Sequence, residues 1–207
     1  MSNEVLNESK MMEILDWCYD KALTGLPKME TAEELGDKYL RKYRNVEDAI
    51  NSFVNWQTTK CTTSGFLTGL GGLITLPVAL PTNITSVIYI QIRMIAAIAH
   101  MRGFDLKDDQ VKTFVFVALT GQAATDILKQ SGIKIGTKMS TALIKKIPFS
   151  VIKQINKAVG FRMVTKFGQK GVINLGKCIP VVGGVIGGGV DLFSTRSIAK
   201  IAKKVFV

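Results

Sequence analysis

The residues of this chain that could take part in covalent or acid-base chemistry are few and scattered. His100 is the single histidine, and neither a His-Glu-x-x-His pair nor a Gly-x-Ser-x-Gly elbow occurs. The cysteines, Cys18, Cys61 and Cys178, stand in no metal-ligand spacing. A hydrolase acting on lipid would need a nucleophile and a base within hydrogen-bond reach, which leaves Asp105, Asp108, Asp109, Asp126 and Asp191 to serve Ser194 or Cys178. Asp191 is the one suggestive carboxylate, and a role as an N-cap or helix-start residue accounts for it more simply. Neither a cofactor nor a metal is expected.

Cations, in contrast, recur at a regular interval. Lys134 and Lys138, Lys153 and Lys157, Arg162, Lys166 and Lys170, and Arg196, Lys200 and Lys204 are each four residues apart, with Lys203 beside the last set. That spacing places each set on one helix face. The chemistry of such faces is electrostatic attraction to an anionic surface.

The charge is also unevenly distributed. The whole chain carries +11, but residues 1–59 are net −4, residues 60–126 net +1 and residues 127–207 net +14. A basic third of this kind suits phospholipid headgroups or nucleic acid. Nucleic-acid binding is disfavoured, because the basic stretches lack aromatic stacking platforms, zinc spacing or a helix-turn-helix pattern. The acidic N-terminus has neither the basic start nor the apolar core of a signal peptide, and the odd, dispersed cysteines suit free thiols in a reducing compartment. The expectation is a cytoplasmic protein.

These faces must be positioned by helices built around one long uncharged run. Cys61 to Ile92 spans 32 residues without a charged side chain. Pro77 and Pro81 divide it, since each removes an N–H and biases its predecessor away from helical geometry. A membrane-spanning helix needs roughly 20 apolar residues. The first piece is shorter than that, and the second, a predicted helix from Thr82 to Met101, contains Arg93, a costly charge in hydrocarbon. A buried or interface-lying helical pair is therefore preferred to a spanning hairpin. Glycines at four-residue spacing, Gly65 with Gly69 and then Gly71 and Gly72, and again Gly183 with Gly187 and Gly184 with Gly188, would let backbones approach closely.

Along the rest of the chain, residues 2–26 are predicted to form an amphipathic helix with Val5, Leu15, Cys18 and Ala22 inward, stopped by Gly25 and Pro27. Thr31 with Glu34 has capping-box spacing, and Asn45 suits the cap of a third helix facing Ala49, Ile50, Phe53, Val54 and Gln57 inward. The helix from Thr82 aligns Ser86, Tyr89, Arg93, Ala96 and His100. Arg93 and His100 are candidate headgroup ligands, with a role at a helix end as the alternative. Gly103 should close that helix and Phe104 fold back on it. A single helix is expected to start over Asp105 to Asp109, favoured there by the macrodipole, and to run through the core to Gly132. In the last helix, Thr195, Ile198, Ala199, Ile201, Ala202, Val205 and Phe206 oppose Arg196, Lys200, Lys203 and Lys204. This basic amphipathic helix could dock on the core or lie on an anionic bilayer.

Two motifs, in this order, resemble the EcsC family of bacterial proteins. The first is GLGGLITLPVALP followed by QIRMIAAIAHMRGFD, with Gly71, Gly72, Thr75, Leu76, Pro77, Gln91, Ile98, Ala99 and Gly103. The second holds Pro180, Val181, Gly183, Gly184, Gly187, Gly188 and Asp191. The resemblance spans roughly residues 60–206 and departs at Val78-Ala79, where a more polar residue is expected after the proline. The name-giving member is encoded beside the two components of an ABC transporter, so the resemblance implies a cytoplasmic accessory at the membrane. It supplies no catalytic residue.

The chain is thus expected to be all-α, a single-domain helical bundle with two Gly/Pro-interrupted apolar hairpins. An acidic segment, residues 1–59, would pack on a body of residues 60–207. Its expected function is non-enzymatic and peripheral to the inner membrane, with anionic lipids or a membrane complex such as a transporter as partner. A membrane-inserting, pore-forming or lipid-carrying protein is the alternative, a lipid-directed hydrolase is a further one, and the oligomeric state is open. If the glycine-rich segments pack closely, Gly184→Leu should disrupt folding or insertion. A variant that expresses, melts and binds membranes like the parent would refute close packing there.

Overall fold

Local cap chemistry sets the helix boundaries. The computed structural model describes residues 6–61, 82–133, 141–167 and 185–207. Its helices are α1 (Glu8–Thr24), α2 (Ala32–Leu40), α3 (Val46–Cys61), α4 (Thr82–Met101), α5 (Asp109–Leu119), a 3-10 turn (Gly121–Ala123), α6 (Ala124–Gln130), α7 (Thr141–Lys145), α8 (Phe149–Phe167) and α9 (Val185–Val205). Among the described residues there is no strand, only an isolated bridge between Leu26 and Met29. The fold is all-α, as expected. The two glycine-rich hairpins fall largely outside the described residues, with Gly65, Gly69, Gly71, Gly72, Thr75, Pro77, Pro180, Gly183 and Gly184; so do Val5, Lys134, Lys138 and Lys170.

Asn7 caps α1 by accepting from the Lys10 N–H at 2.9 Å. Thr31 and Glu34 complete a reciprocal capping box at α2, at 3.1 and 2.8 Å. Asn45 Oδ1 accepts from the Asp48 N–H at 2.7 Å and starts α3. At the end of α4, Gly103 takes φ +80°, and the Phe104 N–H reaches back to the Ala99 carbonyl at 3.1 Å. This glycine-terminated geometry satisfies carbonyls that the helix leaves open. Phe104 is buried and meets the Phe206 ring edge to face, with centroids 5.1 Å apart.

These helices surround α4. It contacts α1, α2, α3, α5 and α9, and every residue from Ile88 to Ala99 is buried. The inward face of α1 is Met11, Ile14, Leu15, Cys18, Tyr19 and Ala22; that of α3 is Ala49, Ile50, Phe53 and Gln57. Burying one large aliphatic or aromatic side chain contributes roughly 1.5–3 kcal/mol, so a helix covered on all sides anchors the bundle. Ile84–Met101 is apolar and long enough to cross a membrane by composition, yet 83% of it is buried within the protein.

One expected helix is broken. The run from Asp109 to Gln130 is interrupted at Thr120–Gly121, where Gly121 adopts φ +64° and the chain turns through the 3-10 segment before α6. The Thr120 hydroxyl donates to the Val117 carbonyl at 2.7 Å, and a Cβ on Gly121 would lie 3.9 Å from Ile198 and Ser197 of α9. Docking of the turn against α9 therefore overrides the local helical pattern.

The tightest surroundings among the described glycines are at Gly36, where α2 packs on α4. A Cβ there would lie 2.7 Å from the His100 ring and 3.4 Å from the Ala97 carbonyl. Gly36→Leu is expected to destabilise the protein by about 1–3 kcal/mol through overpacking. Gly103→Ala has open space around it and should cost only the backbone strain, about 1 kcal/mol. Thermal melting of the two variants distinguishes these outcomes; equal losses would remove the close-approach explanation for Gly36.

Candidate functional site

The residues that a hydrolytic site would need are not brought together among the described residues. Asp105 accepts from the Lys107 N–H at 2.9 Å in the loop before α5, and Asp108 pairs with Lys145 at 3.2 Å. Asp109 and Asp126 are exposed in the first turns of α5 and α6. Asp191 falls within α9, past its first turn, so the N-cap role expected for it is corrected: the helix already begins at Val185. Cys178 and the side chain of Ser194 lie outside the described residues. Among those that are described, no group of three His, Cys, Asp or Glu side chains could hold a metal ion. Cys18 is fully buried, which pushes its thiol pKa up and removes it from reactivity near neutral pH.

Arg93 is corrected as a headgroup ligand. It is 3% exposed, inside the bundle, and donates from Nη1 to the Glu30 carbonyl at 3.1 Å. Its guanidinium carbon lies 5.5 Å from the centroid of the Tyr89 ring. The Tyr89 phenol is shifted up by burial, with Arg93 opposing that shift. Arg93 thus ties the centre of α4 to the loop between α1 and α2, rather than to carbonyls at a helix end. His100 occupies the last turn of α4 and is engaged by Asp37 of α2, Nε2 to Oδ1 at 2.7 Å. Gln91, buried in the same helix, donates to the Thr195 hydroxyl of α9 at 3.5 Å.

The register of α9 sorts its side chains. Thr195, Ile198, Ala199, Ala202, Val205 and Phe206 are buried and Ile201 is half-buried, so the apolar face is docked on the core rather than presented to a bilayer. Lys203, expected among the lipid-binding cations, is instead engaged within the protein. Its Nζ lies 2.6 Å from Glu47 Oε1 and 2.6 Å from Asn51 Oδ1, and Glu47 also pairs with Arg102 at the end of α4. This cluster joins α3, α4 and α9. The sequence gives no signal for it beyond the excess of cations, because Glu47 and Lys203 meet only where α3 packs against α9.

Arg196, Lys200 and Lys204 remain exposed. With Asn51, Val54, Asn55, Ala199 and Lys203 they line a groove of about 330 Å³ between α3 and α9. On α8, Ile152, Ile155, Val159, Met163 and Phe167 are buried, while Lys153, Lys157 and Arg162 are exposed. Lys166 is half-buried, its Nζ 5.0 Å from the centroid of the Phe167 ring. Arg162 also borders a cleft of about 450 Å³ with Asp126, Gln122 and the exposed Phe161. On each of these two helices the exposed cations lie outward while the apolar side chains serve the fold. Phe149 and Phe161 are exposed large apolar side chains on the same helix.

A family model described as the EcsC protein family matches residues 3–207. The match includes the acidic N-terminal third, which the two sequence motifs did not reach. No curated protein and no solved structure matches the chain.

The Glu47 carboxyl is held below the usual glutamate range, chiefly by the hydrogen bond from Lys203, with Arg102 adding to it and partial desolvation opposing. A lowered folded-state pKa contributes stability that is present above the unfolded value and lost as pH falls through the folded one. Glu47→Gln should therefore lower stability near neutral pH by about 1 kcal/mol, a shift of roughly 2–4 °C in melting temperature for a chain of this size. Below the glutamate range the two proteins should melt alike. A deficit that persists undiminished in acid would show that packing, not charge, is responsible.

Proposed function

The chain belongs to the EcsC family, and from that premise we infer that it acts by binding rather than catalysis, associating peripherally with the anionic cytoplasmic face of the inner membrane. The observation that carries this reading is the exposure of Arg196, Lys200 and Lys204 on a helix whose apolar face is consumed by the core. These cations contribute little to holding α9 in place. The lysines and arginine exposed on α8 extend the same sign of charge, and residues 127–207 include a single acidic side chain, Asp191.

The physical scale suits reversible attachment. A Lys or Arg near an anionic leaflet contributes about 1 kcal/mol, and the attraction decays within a Debye length of roughly 8 Å at physiological ionic strength. Three to six such groups give a binding strength that salt can reverse. Insertion through α4 would have to strip away the helices that cover it, so electrostatic attachment is the reading the packing favours.

Flotation with vesicles of phosphatidylcholine, with and without phosphatidylglycerol, at low and high salt tests this. Binding should require phosphatidylglycerol and be lost in high salt. Combining Arg196→Ala, Lys200→Ala and Lys204→Ala should weaken it by about a hundredfold while leaving the helical circular-dichroism signal and melting unchanged. No flotation with anionic vesicles at low salt would refute the proposal; binding that resists both high salt and carbonate would replace it with an inserted protein.

A further inference from the structure

We propose that the corner between α7 and α8 is the part of the protein that enters the anionic bilayer, with Leu143 and Phe149 reaching the boundary between headgroups and acyl chains. The inference rests on the peripheral reading above and adds to it the point of contact.

The corner divides its apolar side chains between two environments. Ile144 is fully buried, Ile152 is buried and Ile147 is half-buried against the core. Leu143 and Phe149, by contrast, are 47% and 64% exposed, and Phe149 is the most exposed large apolar side chain among the described residues. Single exposed apolar residues are ordinary on a soluble protein. Here two of them bracket one turn, whose main chain is fixed by its own hydrogen bonds. The Lys146 and Ile147 N–H groups donate to the Leu143 and Ile144 carbonyls at 3.2 and 3.1 Å, and those of Val151 and Ile152 donate to the Pro148 carbonyl at 3.0 and 3.1 Å. Lys145 ties α7 to Asp108 at the start of α5. With Ile144 and Ile152 locked inside, Leu143 and Phe149 cannot both turn inward without breaking this arrangement.

Cations surround the apolar tip. Lys146 is exposed, Lys153 lies with its Nζ 5.0 Å from the centroid of the Phe149 ring, and Lys157 is exposed one turn further along α8. No acidic residue occurs between Asp126 and Asp191, and Asp108, which reaches α7 from the start of α5, is paired with Lys145. Long lysine stems can lie along buried apolar surface while their ammonium groups remain at headgroup level. Apolar side chains flanked by lysines are the arrangement that interfacial segments use, combining shallow burial with attraction to anionic lipid. The charge selects the occupant: an anionic lipid surface satisfies both the lysines and the two apolar side chains.

The test combines binding with depth. The double variant Leu143→Ser/Phe149→Ser should bind phosphatidylglycerol-containing vesicles about tenfold or more weakly than the parent, the scale of withdrawing a large apolar side chain from water, with an unchanged melting temperature. In a separate Phe149→Trp variant, emission corrected for the half-buried Trp17 and Trp56 should shift to the blue on adding anionic vesicles and be quenched by lipids brominated along the acyl chain. If the double variant binds as the parent does and the new indole is not quenched, the corner does not enter the bilayer, although the peripheral reading survives. If the parent itself does not bind anionic vesicles, both proposals fall.

Discussion

The burial of α4 is the constraint on which the rest of the structure depends. A helix that is apolar on nearly every side has no face to offer to water. It must therefore be covered, and α1, α2, α3, α5 and α9 each contribute a stripe of apolar side chains to that cover. Of the covering helices, α1, α2, α3 and α9 keep an exposed face, whereas α5 is itself buried from Thr113 to Leu119. Arg93 illustrates how strict the enclosure is: a cation inside the bundle is accommodated by a backbone carbonyl at Glu30 and the face of Tyr89. Removing only its partners would leave a buried charge, which is far more destabilising than loss of an ordinary surface contact.

Enclosing α4 also determines what is left for function. The apolar face of an amphipathic helix serves the core or a bilayer, and in α9 the core takes it. The same docking brings Lys203 to Glu47 and Asn51 and Glu47 to Arg102, so part of the basic charge secures α9 against α3 and α4. What remains outward is Arg196, Lys200 and Lys204, together with the exposed cations of α8. In such a surface long-range attraction comes from charge, whereas depth of contact has to come from apolar side chains that the fold does not use. Leu143 and Phe149 meet that description because their neighbours Ile144 and Ile152 already anchor the corner.

Much of the fold was legible in the sequence wherever the determining interaction is local. Capping at Thr31, Glu34 and Asn45 involves residues three apart, and the stops at Gly103 and Gly132 follow from the ease with which glycine adopts positive φ. Helical periodicity likewise separated the two faces of α9, and the extent of α4 followed from the proline before it and the glycine after it. The candidate surface was legible in part: the spacing of Lys153, Lys157 and Arg162 does place them outward, but identical spacing logic also selected Arg93 and Lys203, which the fold uses internally.

The sequence by itself thus determined the helical class, several helix ends and the concentration of positive charge in the last third, because each follows from composition or from contacts within a turn or two. Only the tertiary structure decided which cations face water, why the helix after Asp109 breaks at Gly121, and why Gly36 must lack a side chain. Each of those depends on an element distant in the chain: α9 against Gly121, α4 against Gly36, α3 against Lys203. Spacing specifies which side chains share a helix face, and packing alone specifies what that face meets.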